Sequence, residues 1–240
     1  MKAGIECQDF AACMELESTS GRVLAAVISD GAGSAPKAEA GARLVCTGFL
    51  RAVRDHCGQG HGIEDADDDT IRDWMDATRE RINVFASREH VSPRDCAATL
   101  VAVLAGPRNA LIIHVGDGAA VVREEGSPDW IVPSWPFHGE YASTTAFVTD
   151  DPEPRLSIER LPVRIDQIAV FSDGLERLVL DHAQKTAFTP FFDRILSPLS
   201  ASKVIGHDRS LSCALRSYLD SHPVCERTDD DKSLILGMRT

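Results

Sequence analysis

No stretch of about 18 consecutive apolar residues occurs in this 240-residue chain, so no transmembrane helix is expected. The amino terminus, MKAGIECQDF, lacks the apolar core of a secretory signal. Seven cysteines, an odd number irregularly spread, make no disulfide framework. With no export signal they read as reduced thiols, and the expected location is cytoplasmic. No cluster of Lys or Arg offsets the net charge of −12, so neither nucleic acid nor an anionic membrane is expected as a partner. Cys and His are too scattered for a zinc site. No Asp-x-Asp-x-Asp-Gly calcium loop and no Gly-x-x-x-x-Gly-Lys-Ser/Thr phosphate loop is found. A Gly-x-Ser-x-Gly elbow and a Cys-x-x-x-x-x-Arg loop are also missing, which removes the common covalent nucleophiles.

What is present suits one large domain or two small ones, with 43% hydrophobic residues to form a core. Arg22 to Ile28 reads as a buried strand, and Pro36 to Cys57 as a helix with Pro36 in its first turn. The acidic run Glu64 to Asp69 leads into a second helix, where negative charge suits the helix dipole; Ile71, Trp74, Met75, Thr78, Ile82 and Phe85 share one face. Strands are expected in AATLVAVLAG, NALIIHVGDGAAVVRE, Thr144 to Thr149, Ser157 to Leu161 and QIAVFSDGLERL. A mostly helical segment from Asp181 to Ser221 precedes a last strand. Runs of strands separated by pairs of helices make an α+β layered pattern rather than a regular βαβ alternation.

Four segments carry the chemistry. AAVISDGAG ends in Asp30, LIIHVGDGA in Asp117 and IAVFSDGLE in Asp173, while RTDDDKSLILG places Asp229, Asp230 and Asp231 before a strand. A single Asp-Gly after a strand is ordinarily a turn. When several such ends meet on packed strands, their carboxylates gather, repel one another, and call for a proton or a cation. Hard divalent ions take oxygen ligands, and a Gly after Asp lets the backbone turn its carbonyl toward the same ion. The expected site is therefore an oxygen-lined Mg²⁺ or Mn²⁺ centre holding two ions. Such a pair activates water and clamps a phosphoryl group for in-line attack.

These segments resemble, in order, the motifs of the metal-dependent serine/threonine protein phosphatases of type 2C, in a divergent bacterial branch. CQDF (Cys7 to Phe10), ISDGAGS (Ile28 to Ser34), CAATLVAVL (Cys96 to Leu104), IHVGDGAAVV (Ile113 to Val122), GEYASTTAFVTDD (Gly139 to Asp151), VFSDGLERL (Val170 to Leu178) and DDDKSLIL (Asp229 to Leu236) carry the likeness. The resemblance implies one domain over residues 1–240: a four-layer α-β-β-α sandwich, two antiparallel sheets flanked by helical pairs, with metals in a cleft at one edge. It implies that Asp30 bridges both metals, that the Gly31 carbonyl binds the second, and that Asp173 and Asp230 bind the first, with a slip to Asp229 as the alternative. Asp9 would orient the attacking water, and Asp117 with Asp173 would hold a weaker third metal. The implied activity is hydrolysis of phosphoserine and phosphothreonine on proteins, with a serine/threonine kinase as a plausible partner. The alternatives are a catalytically weak pseudophosphatase that binds a phosphoprotein or partner kinase, and a phosphatase for a small phosphorylated metabolite.

Departures from the family pattern sharpen these expectations. Gln8 stands where many members have Glu, Gly118 replaces a usual Ser, and the flap between the later strands is short. Only Lys2 lies upstream where a basic phosphate-gripping residue is usual, so the start is truncated or phosphate is held differently. The phosphate-binding residue is thus left unassigned. His114 reads as a packed histidine rather than a catalytic acid, and His138 as a loop residue with proton donation as the sharper alternative. Glu140 and Thr144 would line the substrate face. Cys7 and Cys96 would pack near the site as small apolar groups. Trp74, Trp130 and Trp135 would anchor core and loops.

Overall fold

Strands β1 (Phe10–Ser18) and β2 (Gly21–Ser29) form a hairpin whose register pairs Phe10 with Ser29. In β2 every residue from Ala25 to Ser29 is buried, as in a sheet covered on both faces. The period of two divides it: Ala25 and Val27 face one core, Ala26 and Ile28 another. The sequence continues through helices α1 (Ala38–Gly58) and α2 (Asp68–Glu89), then strands β3 (Leu100–Ala105), β4 (Ala110–Val115), β5 (Ala119–Glu124) and β6 (Trp130–Ile131). After these come β7 (Ser157–Leu161), β8 (Ile165–Phe171), α3 (Asp173–Val179), the short pair β9 (Leu180–Asp181) and β10 (Thr186–Ala187), α4 (Thr189–Ala201), α5 (Arg209–Leu219), α6 (His222–Cys225) and β11 (Leu234–Met238). This computed structural model describes residues 7–139 and 145–239.

The strands form two antiparallel sheets, ordered β1-β2-β3-β4-β7 and β11-β8-β5-β6, beside the small β9–β10 pair. One core lies between the first sheet and α1 and α2, and includes Phe49, Ile71, Trp74 and Ile82. A second lies between the sheets, where Ile28, Val101, Val103, Val122 and Val170 interdigitate. A third joins the second sheet to α3, α4 and the end of α5 through Phe171, Leu175, Phe192 and Leu219. The layers are helix, sheet, sheet, helix, as expected.

Some local expectations need correction. Pro36 precedes the first helix rather than lying in its first turn, since α1 begins at Ala38. Residues 145–149 form no strand. The Phe147 N–H donates to Asp150 Oδ2 at 2.9 Å and the Val148 N–H to the Ala98 carbonyl at 2.9 Å, so the backbone turns while Ala146 and Val148 still enter the core. The helical stretch expected from Asp181 instead holds the β9–β10 pair first. The acidic entry to α2 is as expected: Asp67 Oδ1 accepts the Thr70 N–H at 2.8 Å, and Asp68 and Asp69 lie in the first turn. Among the described residues, no helix is long and apolar enough to cross a membrane.

Candidate metal centre

The pairing registers carry the acidic residues to one edge of the sandwich. Pairing Phe10 with Ser29 sets Asp9 and Asp30 together, one residue beyond. The β2–β3 register then puts Asp30 across from Thr99: the Asp30 N–H donates to Thr99 Oγ1 at 3.0 Å, and the Thr99 N–H donates to the Asp30 carbonyl at 2.8 Å. In the other sheet Phe171 of β8 pairs with both Ala119 and Leu234, so Asp117, Asp173 and the residues before β11 reach the same edge. Carboxylate oxygens of Asp30, Asp117 and Asp173 come within 4.8 Å of one another.

Burial makes these charges costly. It is the first cause that raises Asp30, to about 11, and the carboxylates of Asp9 and Asp173 push the same way. Asp173 rises to about 7, through burial and then the charges of Asp117 and Asp230. Asp9 and Asp117 are likewise raised, each chiefly by burial. Asp9, Asp30 and Asp173 are thus coupled, and a proton or a cation relieves their mutual repulsion.

Asp9 is 8% exposed and sits just before β1. Its Oδ2 accepts the Ser172 hydroxyl at 2.7 Å, and the same Ser172 oxygen accepts the Ser233 N–H at 3.0 Å. One serine thus ties the chain start, β8 and the approach to β11 together. Asp9 Oδ1 and Asp117 Oδ1 are buried with no hydrogen-bond partner among the described residues. Converging carboxylates, unpartnered buried oxygens and an all-oxygen donor set fit hard divalent cations. Ser172→Ala would strand Asp9 Oδ2 and the Ser233 N–H. It is expected to lower stability by about 1–3 kcal/mol in urea unfolding followed by circular dichroism.

Asp230 lies beside the start of α3: a Cβ on Gly174 would stand 3.4 Å from the Asp230 Cβ and 1.9 Å from the Asp231 carbonyl oxygen, so only glycine fits there. The Asp230 charge is felt at Asp173, but its Oδ1 accepts the Asp231 N–H at 3.0 Å and the side chain stands outside the tight trio. Asp231 Oδ2 accepts the Gln8 N–H at 2.7 Å. Gly31 is required by crowding, since a Cβ would stand 2.6 Å from the Ala38 carbonyl oxygen. Gly118 is required likewise, because the Ser usual in the family would put its Cβ 2.8 Å from the Phe171 carbonyl oxygen.

His114 is a core residue. It is 3% exposed, its Nδ1 lies 2.8 Å from Ser134 Oγ, and burial lowers it to about 4. Cys7 is exposed rather than packed, and the thiol beneath Asp9 is that of Cys46 on α1, 3.3 Å from the Phe10 carbonyl. Cys96 is buried against Gly41, where a Cβ would stand 2.2 Å from the Cys96 carbonyl oxygen. Trp74 and Trp130 are core residues, and Trp135 packs on His182. Lys2, Glu140 and Thr144 lie outside the described residues. Sequence reasoning gave no role to Thr99 or Ser172. The only signal was the repeated Ser-Asp-Gly at 29–31 and 172–174, where each Ser hydroxyl bonds across to another strand or segment. It also missed Glu176, which is buried next to His138.

A family model described as protein phosphatase 2C matches residues 1–219. Serine/threonine-protein phosphatase 3 of Escherichia coli (strain K12) is 32% identical over 243 residues, covering 99% of this chain and 93% of that protein. Among solved structures, the serine/threonine phosphatase Stp1 from Staphylococcus aureus aligns over 100% of this chain and 92% of its own, with a TM-score of 0.63 at 17% identity. RsbX in complex with magnesium aligns over 100% and 90%, with a TM-score of 0.55 at 15% identity.

Proposed function

The chain belongs to the protein phosphatase 2C family, and on that premise we propose that residues 1–240 form one catalytic domain that hydrolyses phosphoserine and phosphothreonine on proteins, dependent on Mn²⁺ or Mg²⁺. The observation that carries this reading is the convergence of Asp30, Asp117 and Asp173 from both sheets onto one edge, within 4.8 Å. Asp30 would lie between two ions, with the Gly31 carbonyl on one and Asp173 and Asp230 on the other, and Asp117 with Asp173 would serve a weaker third. Two hard ions held there lower the pKa of water and clamp phosphoryl oxygens for in-line attack.

The chain's own residues supply positioning and proton transfer. Ser172 occupies Asp9 Oδ2 and leaves Oδ1 to orient the attacking water and accept its proton. Burial raises Asp9 above the usual carboxylate range, which strengthens it as a base. The products are phosphate and a free seryl or threonyl hydroxyl, so the reaction consumes what a protein kinase makes. A cognate serine/threonine kinase is the partner this chemistry suggests.

The test is turnover of p-nitrophenyl phosphate and of a phosphothreonine peptide by the full chain. Turnover is expected with Mn²⁺ or Mg²⁺ and should fall to background in EDTA. A folded protein that binds the phosphopeptide without turning it over would favour the pseudophosphatase, a reading motivated by Gln8 in place of Glu. Preference for sugar phosphates over phosphopeptides would move the substrate class to small metabolites.

A further inference from the structure

One turn along α3 from Asp173 stands Glu176, 3% exposed and on the neighbouring helical position that i,i+3 spacing provides. Among the described residues its ion-pairing partners are two imidazoles, His138 Nε2 at 2.7 Å and His182 Nε2 at 2.8 Å, both on Oε1. They arrive from different elements: His138 from the chain after β6, His182 from the turn between β9 and β10. The two rings meet edge to face at 5.6 Å. Trp135 packs against His182 at 5.6 Å, and the Lys185 ammonium lies 4.4 Å from the centre of the Trp135 ring. The three potential donor atoms lie within 4.8 Å of one another.

We propose that His138, Glu176 and His182 form a second metal site, separate from the all-carboxylate centre and selective for a borderline divalent ion such as Zn²⁺ or Co²⁺. Two imidazole nitrogens and one carboxylate suit these metals, whereas Mg²⁺ and Mn²⁺ favour the oxygen-only cluster. Binding replaces the His138 hydrogen bond and the His182 contact on Glu176 Oε1 with two metal–nitrogen bonds, and each ligating ring carries its proton on Nδ1. The ion would pin the chain at His138 and the β9–β10 turn onto α3. It would also add positive charge near Asp117, which already senses the Glu176 charge and, in the opposite direction, His138. The site thus gives a borderline ion a route to bias the neighbouring hard-ion centre.

The proposal does not depend on phosphatase activity, and its readout is spectroscopic. The full chain, held in excess Mg²⁺ to occupy the carboxylate centre, is titrated with Co²⁺ and followed by visible absorption. The wild type is expected to bind one Co²⁺ with enhanced d–d bands, displaced by Zn²⁺. His182→Ala and His138→Ala should each weaken this by at least ~10-fold, while Asp30→Asn should leave it intact. The His138 side chain is the more exposed, 42% against 36% for His182, so its truncation is the milder variant, and circular dichroism confirms the fold. Absence of Co²⁺ uptake in excess Mg²⁺, or uptake unchanged in both histidine variants, would overturn the proposal. Loss of activity in Asp30→Asn with Co²⁺ binding intact separates the two centres, and an inactive wild type that still binds Co²⁺ leaves this site standing.

Discussion

Asp30→Asn is expected to abolish turnover and, at the same time, to raise the melting temperature of the metal-free protein. Asp30 is central to the cluster: after burial, the charges of Asp9, Asp173 and Asp117 all raise it. An amide cannot replace a carboxylate that two cations share, so kcat/KM should fall by on the order of 10³-fold or more, about 4 kcal/mol of transition-state stabilisation. Stability should move the other way. Without metal, the folded protein holds a proton on Asp30 that the unfolded chain releases near pH 4, and at neutral pH that protonation opposes folding. Asn carries no such cost and keeps a donor toward Asp9. Each kcal/mol gained corresponds to about 2–4 °C for a chain of this size. Asp173→Asn should act in the same sense. A melt showing Asp30→Asn less stable than wild type in EDTA would contradict the account.

The second large effect is a stability that falls with pH in EDTA and recovers with metal. A carboxyl raised in the folded state contributes stability below its unfolded value, and this contribution is lost as pH rises through the folded value. For Asp173 the window runs from about 4 to 7, and for Asp30 it extends toward 11. His114 has the opposite sign. Its imidazole stays neutral when buried, so it lowers stability as pH falls from about 6.5 to 4. Between pH 6.5 and 8 the carboxylates carry the slope, because the raised thiols of Cys7, Cys13, Cys46, Cys57 and Cys96 act only near their ordinary value of 9 and above. Between pH 6.5 and 8 the metal-free protein should lose up to about 1.4 kcal/mol per pH unit for each retained proton. A saturating divalent ion replaces those protons and should flatten or reverse the slope. At a free concentration of 100 times Kd it should add about 2.7 kcal/mol. Urea unfolding at several pH values, with EDTA and with Mg²⁺, reads both effects. A pH-independent stability in EDTA would show that the cluster is not under charge strain.

The strand ends were legible because a buried strand writes itself plainly: a continuous apolar run, then Asp-Gly. Asp30, Asp117 and Asp173 each follow that grammar, and antiparallel registers do the rest. The layered sandwich was legible for the same reason, in strands such as β2 and β3 that are buried on both faces. Short elements were not. β9 and β10 have two residues each, too few for any periodicity, and Leu175, Val179 and Leu180 around them continue a helix-like apolar spacing. Residues 145–149 look like a strand because Ala146 and Val148 alternate into the core, yet the Asp150 carboxylate takes the Phe147 N–H and closes a turn. Ser172 bonds Asp9 across 163 positions, and Glu176 gathers His138 and His182 from separate elements, so no local pattern announces either. Asp230 shows how adjacency limits reading: with Asp229 and Asp231 beside it, its place is fixed by the packing against Gly174 and by its charge on Asp173, neither of which the sequence displays.

The most direct test is an anomalous difference map from a crystal of the full chain soaked in Mn²⁺. The account predicts strong peaks at ligand distance from Asp30 and Asp173, with Asp117 facing the same density. Ordered chain with Asp30 and Asp173 in place and no manganese peak between them would contradict it.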